Sequence, residues 1–337
     1  MAVTTSPYAS DALPEGTVDV VVIGGGAAGL NGALMLARSR RSVVVIDSGS
    51  PRNAPAEAMH GFIVLDGTPP PEILRRGREQ VRRYGGRVVF GEVASSESAA
   101  PATDGDLRFT VTLADGRSMS ARRVLVATGL KDVLPKVPGL AEHWGRGVVH
   151  CPYCHGWEVR DEPIGILATG PASIGHAFLF RQLTEDLTFF AQGTDLDEAT
   201  RARFAARGIR IVDTPVQEVV NNEDGTIAGV RLADGHVVAR SVLAVATRME
   251  ARTEGLEGLK LPMQDLPDNM GRGFASGMAG TTEVPGVWVA GNATDLAAQV
   301  GASAAAGALA GARINSVLAT ADTDAALAAA QGVTPAL

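Results

Sequence analysis

Val18-Asp19-Val20-Val21-Val22-Ile23-Gly24-Gly25-Gly26-Ala27-Ala28-Gly29 is the stretch from which the fold can be read. The apolar run predicts a strand buried on both faces. Glycines 24, 26 and 29 make a GxGxxG turn, and Leu30, Ala33, Leu34, Leu36 and Ala37 continue it as a helix. A second strand over residues 42–46 ends at Asp47, eighteen residues after Gly29. In such a unit the glycines permit a tight turn, close approach of a pyrophosphate, and close helix–strand packing. The helix N-terminus receives the pyrophosphate, and Asp47 is placed to accept from ribose hydroxyls. A lone GxGxxG is a weak signal; strand, helix, second strand and acid in register make it a strong one.

Beyond this unit, Pro51-Arg52-Asn53 and His60-Gly61-Phe62 lie in a polar, Gly/Pro-rich loop able to reach across a cofactor. A lone histidine such as His60 is more often a loop hydrogen-bonder than a catalyst. Residues 71–84 predict an amphipathic helix with a basic face, and residues 87–93 and 108–113 predict strands. A further strand leads to Thr128-Gly129.

A repeat follows. Leu113-Ala114-Asp115-Gly116 precedes Val124-Leu125-Val126-Ala127-Thr128, and Leu232-Ala233-Asp234-Gly235 precedes Val242-Leu243-Ala244-Val245-Ala246-Thr247. The chain therefore contains two related dinucleotide-type units. The second opens at Ile164-Gly165-Ile166-Leu167, but its turn is degenerate. Ala168 replaces the first glycine and Ser173 the last small residue. After its second strand, Ala191-Gln192-Gly193-Thr194 offers neither the cations a 2′-phosphate needs nor the acid an NADH ribose needs. The unit is expected to keep the fold and to bind nicotinamide poorly or not at all. Gly286-Val287-Trp288-Val289-Ala290-Gly291-Asn292 then returns to the first unit as a strand and glycine turn. Asp295 and a small-residue helix over residues 297–315 follow, with a frayed tail after Ala319.

Both cysteines stand in Cys151-Pro152-Tyr153-Cys154-His155. Thiols at this spacing can close and reopen a disulfide, and a neighbouring imidazole can exchange their protons. CxxCH is also the form of c-type haem attachment, though no signal peptide precedes it. Two cysteines and one histidine give three of zinc's usual four ligands, with no second CxxC or HxxxH, so no metal site is expected. CPYC also resembles a glutaredoxin site, which sits near the start of a small domain. A purely structural pair is disfavoured because Pro152 and Gly156 frame a turn that exposes the sulfurs. Context favours a redox dithiol.

The 337 residues allow two domains with substantial cores. A hydrophobic fraction of 45%, a charged fraction of 20% and a net charge of −7 suit a soluble protein, with neither nucleic acid nor an acidic membrane as main partner. Two cysteines cannot make a secreted disulfide framework, and a reducing cytoplasm fits. Residues 1–16 hold no Lys or Arg and no apolar core, so they read as a disordered tail rather than a targeting peptide.

These pieces in this order resemble the low-molecular-weight thioredoxin reductase family of flavoproteins, over about residues 18–318. The resemblance implies an α/β fold of two Rossmann-like, three-layer ββα dinucleotide-binding domains. Its expected divisions are a tail at 1–17, FAD-binding parts at 18–135 and 253–318, an NAD(P)-type domain with the CxxC at 136–252, and a tail at 319–337. It implies FAD held by Gly24, Gly26, Ala27, Ala28, Gly29, Asp47, Ser48, Arg52, Asn53 and His60. Thr128, Gly129, Gly291, Asn292, Asp295, Gln299 and Val300 would complete the site. It also implies a homodimer.

The departures point to a branch. Where the family has CxxCD, this chain has His155; the second glycine turn and an arginine pair are missing; Asn292 replaces an aspartate. This combination resembles the dithiol oxidases that close disulfides in natural products of the gliotoxin and holomycin type. In that branch a small-molecule dithiol passes electrons to the CxxC, to FAD, and to O2, giving H2O2. The resemblance makes Cys154 the thiol beside the flavin and Cys151 the one exchanging with substrate, with His155 as general base and acid. An NAD(P)H- or ferredoxin-driven disulfide reductase and a non-catalytic FAD-binding redox sensor are the alternatives.

Overall fold

In the computed structural model, which describes residues 10–99 and 106–331, the valine run becomes β1 (Thr17–Ile23) in the middle of a sheet. α1 (Ala27–Arg38) follows, and β2 (Val43–Asp47) lies parallel to β1 with Ile23 opposite Ile46. α2 (Pro70–Arg83) leads to β3 (Arg87–Phe90), parallel to β2. β4 (Val93–Ala99), β5 (Arg108–Leu113) and β6 (Ser118–Val126) form an antiparallel meander. The first part of β6 pairs with β5, while β6 also runs parallel to β1, giving the order β3-β2-β1-β6-β5-β4. Val20 and Val22 enter the core under α1, and Val21 and Ile23 the core on the other face. That division explains why the strand is apolar throughout instead of alternating.

The chain leaves through β7 (Leu130–Val133) and builds the second unit: β8 (Val148–Val149), α3 (Pro152–His155), β9 (Ile164–Leu167), α4 (Ala172–Phe180), β10 (Leu187–Phe190), α5 (Glu198–Ala206) and β11 (Arg210–Val212). A meander of β12 (Val216–Asn221), β13 (Ile227–Leu232) and β14 (Val237–Ala239) delivers β15 (Val242–Val245). The five parallel strands take the order β11-β10-β9-β15-β8. β16 (Arg248–Ala251) returns antiparallel to β7, so the two crossing segments are zipped together. β17 (Met263–Asp265), β18 (Gly271–Phe274) and β19 (Val287–Val289) follow, β19 lying parallel to the end of β6. α6 (Val300–Gln331) closes the first unit against α1.

The sequence repeat is a structural one. Ala114 N–H bonds Glu92 O beside the first turn, and Ala233 N–H bonds Pro215 O beside the second. The return strand is continuous in the first unit and broken in the second, where residues 240 and 241 separate β14 from β15.

Three local expectations are corrected. Residues 10–16 are not a disordered tail: Asp11 N–H bonds Val88 O, and its carboxylate accepts from Val88 N–H and Arg82 Nε, which fastens the segment along β3. Residues 1–9 lie outside the described residues. The last helix starts at Val300 and runs to Gln331 instead of fraying after Ala319, because Leu318 is buried and Asp322 accepts from Arg41 and Arg122 at 2.6 and 2.7 Å. Residues 332–337 lie outside the described residues. The strand expected over residues 87–93 ends at Phe90, where Gly91 intervenes before β4. Among the described residues no helix is long and apolar enough to cross a membrane.

Candidate active site

The β1–α1 turn is a cradle made by missing side chains. A Cβ on Gly24 (φ +111°) would sit 2.2 Å from Ala127 O, and one on Gly29 only 1.9 Å from Gly24 O. These two glycines let strand and helix touch. At Gly26 a Cβ would meet nothing within 4 Å, and Gly26 caps α1 without a side-chain hydrogen bond. The first turn of α1, with Ala27, Ala28 and Gly29, carries no acidic residue. Open space and bare amides at the positive end of a 12-residue helix fit a pyrophosphate.

Asp47 closes the other side. A Cβ on Gly25 would strike its Oδ2 at 2.2 Å, so the carboxylate lies directly against the turn. Gly49 N–H donates to Oδ1 at 2.9 Å, and Arg78 of α2 donates to Oδ2 from Nη2 and Nε. Arg78 was not foreseen as part of the site, since an arginine on a basic helix face reads as solvated. Its guanidinium also lies 5.0 Å from the Phe90 ring centroid, and Phe90 is the register partner of Asp47. Ser48 is exposed beside this pair.

The returning segment completes the wall. Gly291 (φ +71°) lets the chain approach α1, where its Cβ would lie 2.7 Å from that of Ala28. Asn292 Nδ2 donates to the carbonyls of Asp295 and Ala298 at 2.9 and 2.8 Å, shaping the loop into α6. An aspartate cannot donate those bonds, which accounts for an amide at this position. Thr128 Oγ1 donates to Arg252 O, while Gly129 (φ +71°) keeps open space above it. Gln299 Oε1 lies 3.4 Å from where a Gly61 side chain would begin, next to Val300 at the start of α6. This cradle fits a dinucleotide cofactor.

The CxxC does not lie in an irregular turn, as expected, but in the one-turn helix α3, with both cysteines half-buried. Cys151 is its N-cap and Pro152 its first residue, where a missing N–H costs nothing. Gly156 allows the close approach of Leu183 Cδ1, 2.3 Å from its would-be Cβ. Cys151 and Cys154 form a disulfide with Cα atoms 5.2 Å apart. Cys154 N–H points at Cys151 Sγ at 3.1 Å, an interaction that stabilises negative charge on that sulfur once the bond opens. His155 follows with both ring nitrogens buried and without a hydrogen-bond partner among the described residues. Burial pushes its pKa below the ordinary 6.5, against the opposing charge of Glu158, so the ring is a neutral base at neutral pH.

The remaining candidates divide by place. His60 stands between Asp66 of its own loop and Glu158 beyond α3, 3.4 Å from each carboxylate, so it joins the two units near the disulfide. Arg52 forks onto Asp132 at 2.6 and 2.7 Å, and Asp132 also accepts from Thr247 Oγ1. Asn53 lies half-buried in the same loop, its carbonyl accepting from Ala56 N–H. His143 bonds Asn221 of β12 and Trp144 packs on the second unit's core, so the structure does not draw either to the disulfide. Sequence reasoning missed the buried pair His150 and His176 behind α3. His150 Nδ1 lies 2.9 Å from Val245 O, and His176 Nε2–H donates to His150 O. Burial pushes the His176 pKa down to about 4. Isolated histidines carry no periodicity, and only the adjacency of His150 to Cys151 hinted at a role.

The turn of the second unit is closed on itself. Thr169 N–H donates to Ser173 Oγ at 3.0 Å, and Thr169 Oγ1 donates to Ala246 O at 2.6 Å. Pro171 precedes α4 where an amide would otherwise face a phosphate. Gln192 Oε1 is occupied by Val216 N–H at 2.6 Å. Within this turn and after β10, the Thr169 amide and hydroxyl and the Gln192 side chain are thus engaged by the protein itself.

Comparison with known proteins agrees with this geometry. The sequence profile of the pyridine nucleotide-disulphide oxidoreductases matches residues 18–312. Thioredoxin reductase tcpT of Claviceps purpurea (strain 20.1) is 35% identical over 249 residues, 72% of this chain and 77% of that protein. Thioredoxin reductase sirT of Leptosphaeria maculans is 34% identical over 233 residues, 64% of this chain and 70% of that one. The crystal structure of HlmI superposes with a TM-score of 0.87 at 43% identity, covering 94% of this chain and 98% of HlmI.

Proposed function

Given that this chain belongs to the pyridine nucleotide-disulphide oxidoreductase family, we propose that it is an FAD-dependent dithiol oxidase that closes a disulfide in a small-molecule dithiol and reduces O2 to H2O2. The observation that carries the reading is the second turn, whose Thr169 amide is taken by Ser173 while a complete Cys151–Cys154–His155 set stands ready. A chain that keeps its redox disulfide and closes its nicotinamide turn takes electrons from thiols. The likeness to HlmI, over 94% of this chain, supports the two-unit architecture on which the reading depends. The proposal includes a homodimer.

The Gly24–Gly29 turn, Asp47 and the Gly291–Val300 segment would hold FAD, pyrophosphate on α1. Bound FAD supplies a two-electron acceptor that dioxygen can reoxidise. A substrate thiolate attacks Cys151 Sγ, breaking the S–S bond and releasing Cys154 as a thiolate. The second substrate thiol, once deprotonated, attacks the substrate sulfur of the mixed disulfide and expels Cys151. Cys154 N–H stabilises the leaving Cys151 thiolate. Two protons leave the substrate, and the neutral His155 is the base that accepts them in turn. The two electrons then reside on the cysteine pair, from which bound FAD would take them.

The test is anaerobic bleaching of the yellow holoenzyme by dithiothreitol and by NADPH in parallel, followed by admission of oxygen. The reading expects fast bleaching by the dithiol, slow or no bleaching by NADPH, and stoichiometric peroxide on reoxidation. Rapid bleaching by NADPH without dithiol-dependent oxygen uptake would make the protein a disulfide reductase, the activity in the names of tcpT and sirT.

A further inference from the structure

In the CxxC segment, and on the loop that His60 ties to Glu158 of that segment, several large apolar side chains stand clear of every core. Tyr153 and Trp157 are 66% and 67% exposed, and Ile63 and Val64 are 85% and 92% exposed. Tyr153 lies between the two cysteines within α3, and Trp157 stands in the turn that follows its C-cap Gly156. Arg160 fixes the indole: its guanidinium stacks 4.2 Å from the ring centroid and donates to Trp157 O.

Ile63 and Val64 tip a loop that is clamped at several points. Met59 and Thr68 bridge its base, Gly61 N–H bonds Asp66 Oδ1, and Leu65 N–H bonds Phe62 O. Phe62 rests on α6 at Gly301, and His60 reaches Glu158, the residue after Trp157. Val64 has φ +73°, a left-handed backbone that β-branched residues rarely adopt. Strain of this kind persists where the surroundings enforce it and clusters at ligand clamps. A loop held this firmly, with two apolar side chains turned to solvent and tied through His60 to the segment that follows the redox disulfide, is arranged for contact.

We propose that Ile63, Val64, Tyr153 and Trp157 form an apolar lip that grips the non-sulfur body of the substrate, selecting ring-bearing apolar dithiols over polar ones. The proposal rests on the dithiol-oxidase reading. A molecule whose sulfur reaches Cys151 must lay its remaining atoms beside α3, where Tyr153 and Trp157 stand. Asp66 and Glu158 are both engaged by the His60 ring, 3.4 Å from each, so shape and apolar area do the selecting.

The experiment measures binding to the oxidised holoenzyme by calorimetry, using two cyclic disulfides that undergo no net reaction with it. One is the cyclic disulfide of 1,2-benzenedimethanethiol, the other oxidised dithiothreitol. Wild type should bind the aromatic probe at least about tenfold more tightly, the effect of burying one ring face. Ile63→Ser and Trp157→Ser should each remove most of that preference with flavin content unchanged. Equal binding of both probes by wild type, or a preference surviving in both variants, overturns the lip. So does an Ile63→Ser variant that changes sedimentation with the preference intact, which would assign the patch to a second copy of the chain. Peroxide release from dithiothreitol by the same wild-type sample tests the oxidase reading separately.

Discussion

Arg78 donates to Asp47 Oδ2 at 2.7 Å from Nη2 and 3.1 Å from Nε, so the acid that ends β2 is met by a cation before any ligand arrives. Both side chains are almost wholly buried. Arg78→Met leaves a buried carboxylate without its cation and with only the Gly49 N–H on its other oxygen, a change that costs about 3–5 kcal/mol in comparable sites. The variant should melt several degrees lower and lose FAD on gel filtration. Arg78→Lys, with the charge but not the planar fork, should fall between. Full flavin retention and an unchanged melting temperature in Arg78→Met would mean that Asp47 needs no partner.

The two cysteines are predicted to be unequal, because only Cys151 Sγ has an amide donor from within α3. Cys154→Ser keeps that backbone N–H, so Cys151 should trap a stable mixed disulfide with substrate, visible as added mass that a reductant removes. Cys151→Ser should leave Cys154 beside the flavin and give a long-wavelength charge-transfer band. Spectra the other way round would exchange the two roles.

His155 is held neutral by burial, with its pKa below the ordinary 6.5. A lowered pKa keeps the base form populated as pH falls, so kcat/KM for a dithiol should stay flat to below 6.5 and then drop. His155→Ala should lower turnover about a hundredfold or more and abolish that acid limb, with FAD still bound. An acid limb that survives in the variant would move the base elsewhere.

His176 gives a stability prediction. Its pKa is pushed down from 6.5 to about 4 because the ring is buried edge-on against Phe180, 4.8 Å between centroids. The unfolded chain therefore binds a proton that the folded one refuses. Stability is complete above pH 6.5 and is lost as pH falls toward about 4, by about 3 kcal/mol from this group. His150 is shifted in the same direction by burial, so His176→Gln should remove only part of the dependence. Denaturant midpoints between pH 6.5 and 4 should fall more steeply in wild type than in this variant. Equal slopes would exclude His176 as a source.

The fold was legible because its decisive signals are local. The valine run, the glycines at 24, 26 and 29, and Asp47 each follow from what one strand–turn–helix requires, and the twin Asp-Gly hairpins announced the second unit. The disulfide pair was readable from its context, since CxxC spacing alone leaves several chemistries open, and the degenerate Ala168 turn from comparison with the first glycine turn. Arg78 was not legible, because its partner lies 31 residues away and only packing brings α2 over β2. The reach of the last helix was missed for the same reason: Asp322 is anchored by Arg41 and Arg122, from the first unit. Asn292 looked like an eroded aspartate, but its amide donates to the carbonyls of the loop that follows.

Thr169 N–H is bonded to Ser173 Oγ at 3.0 Å in the turn where a dinucleotide fold places a pyrophosphate, and Ala191-Gln192-Gly193-Thr194, where a 2′-phosphate needs a cation, has none. Each missing charge-assisted bond costs about 1.5–3 kcal/mol, so two weaken binding about a hundredfold or more. NADPH at concentrations near those in cells should therefore reduce the wild-type flavin far more slowly than a dithiol does. The triple variant Ala168→Gly/Ser173→Ala/Thr194→Arg releases the amide, reopens the turn and adds one cation. Stopped-flow absorbance should record at least about tenfold faster reduction by NADPH in this variant, the effect of one such bond regained. Rapid reduction of the wild type by NADPH would show that the closed turn excludes nothing. No gain in the triple variant would place the block elsewhere in the second unit, away from the Thr169–Ser173 contact.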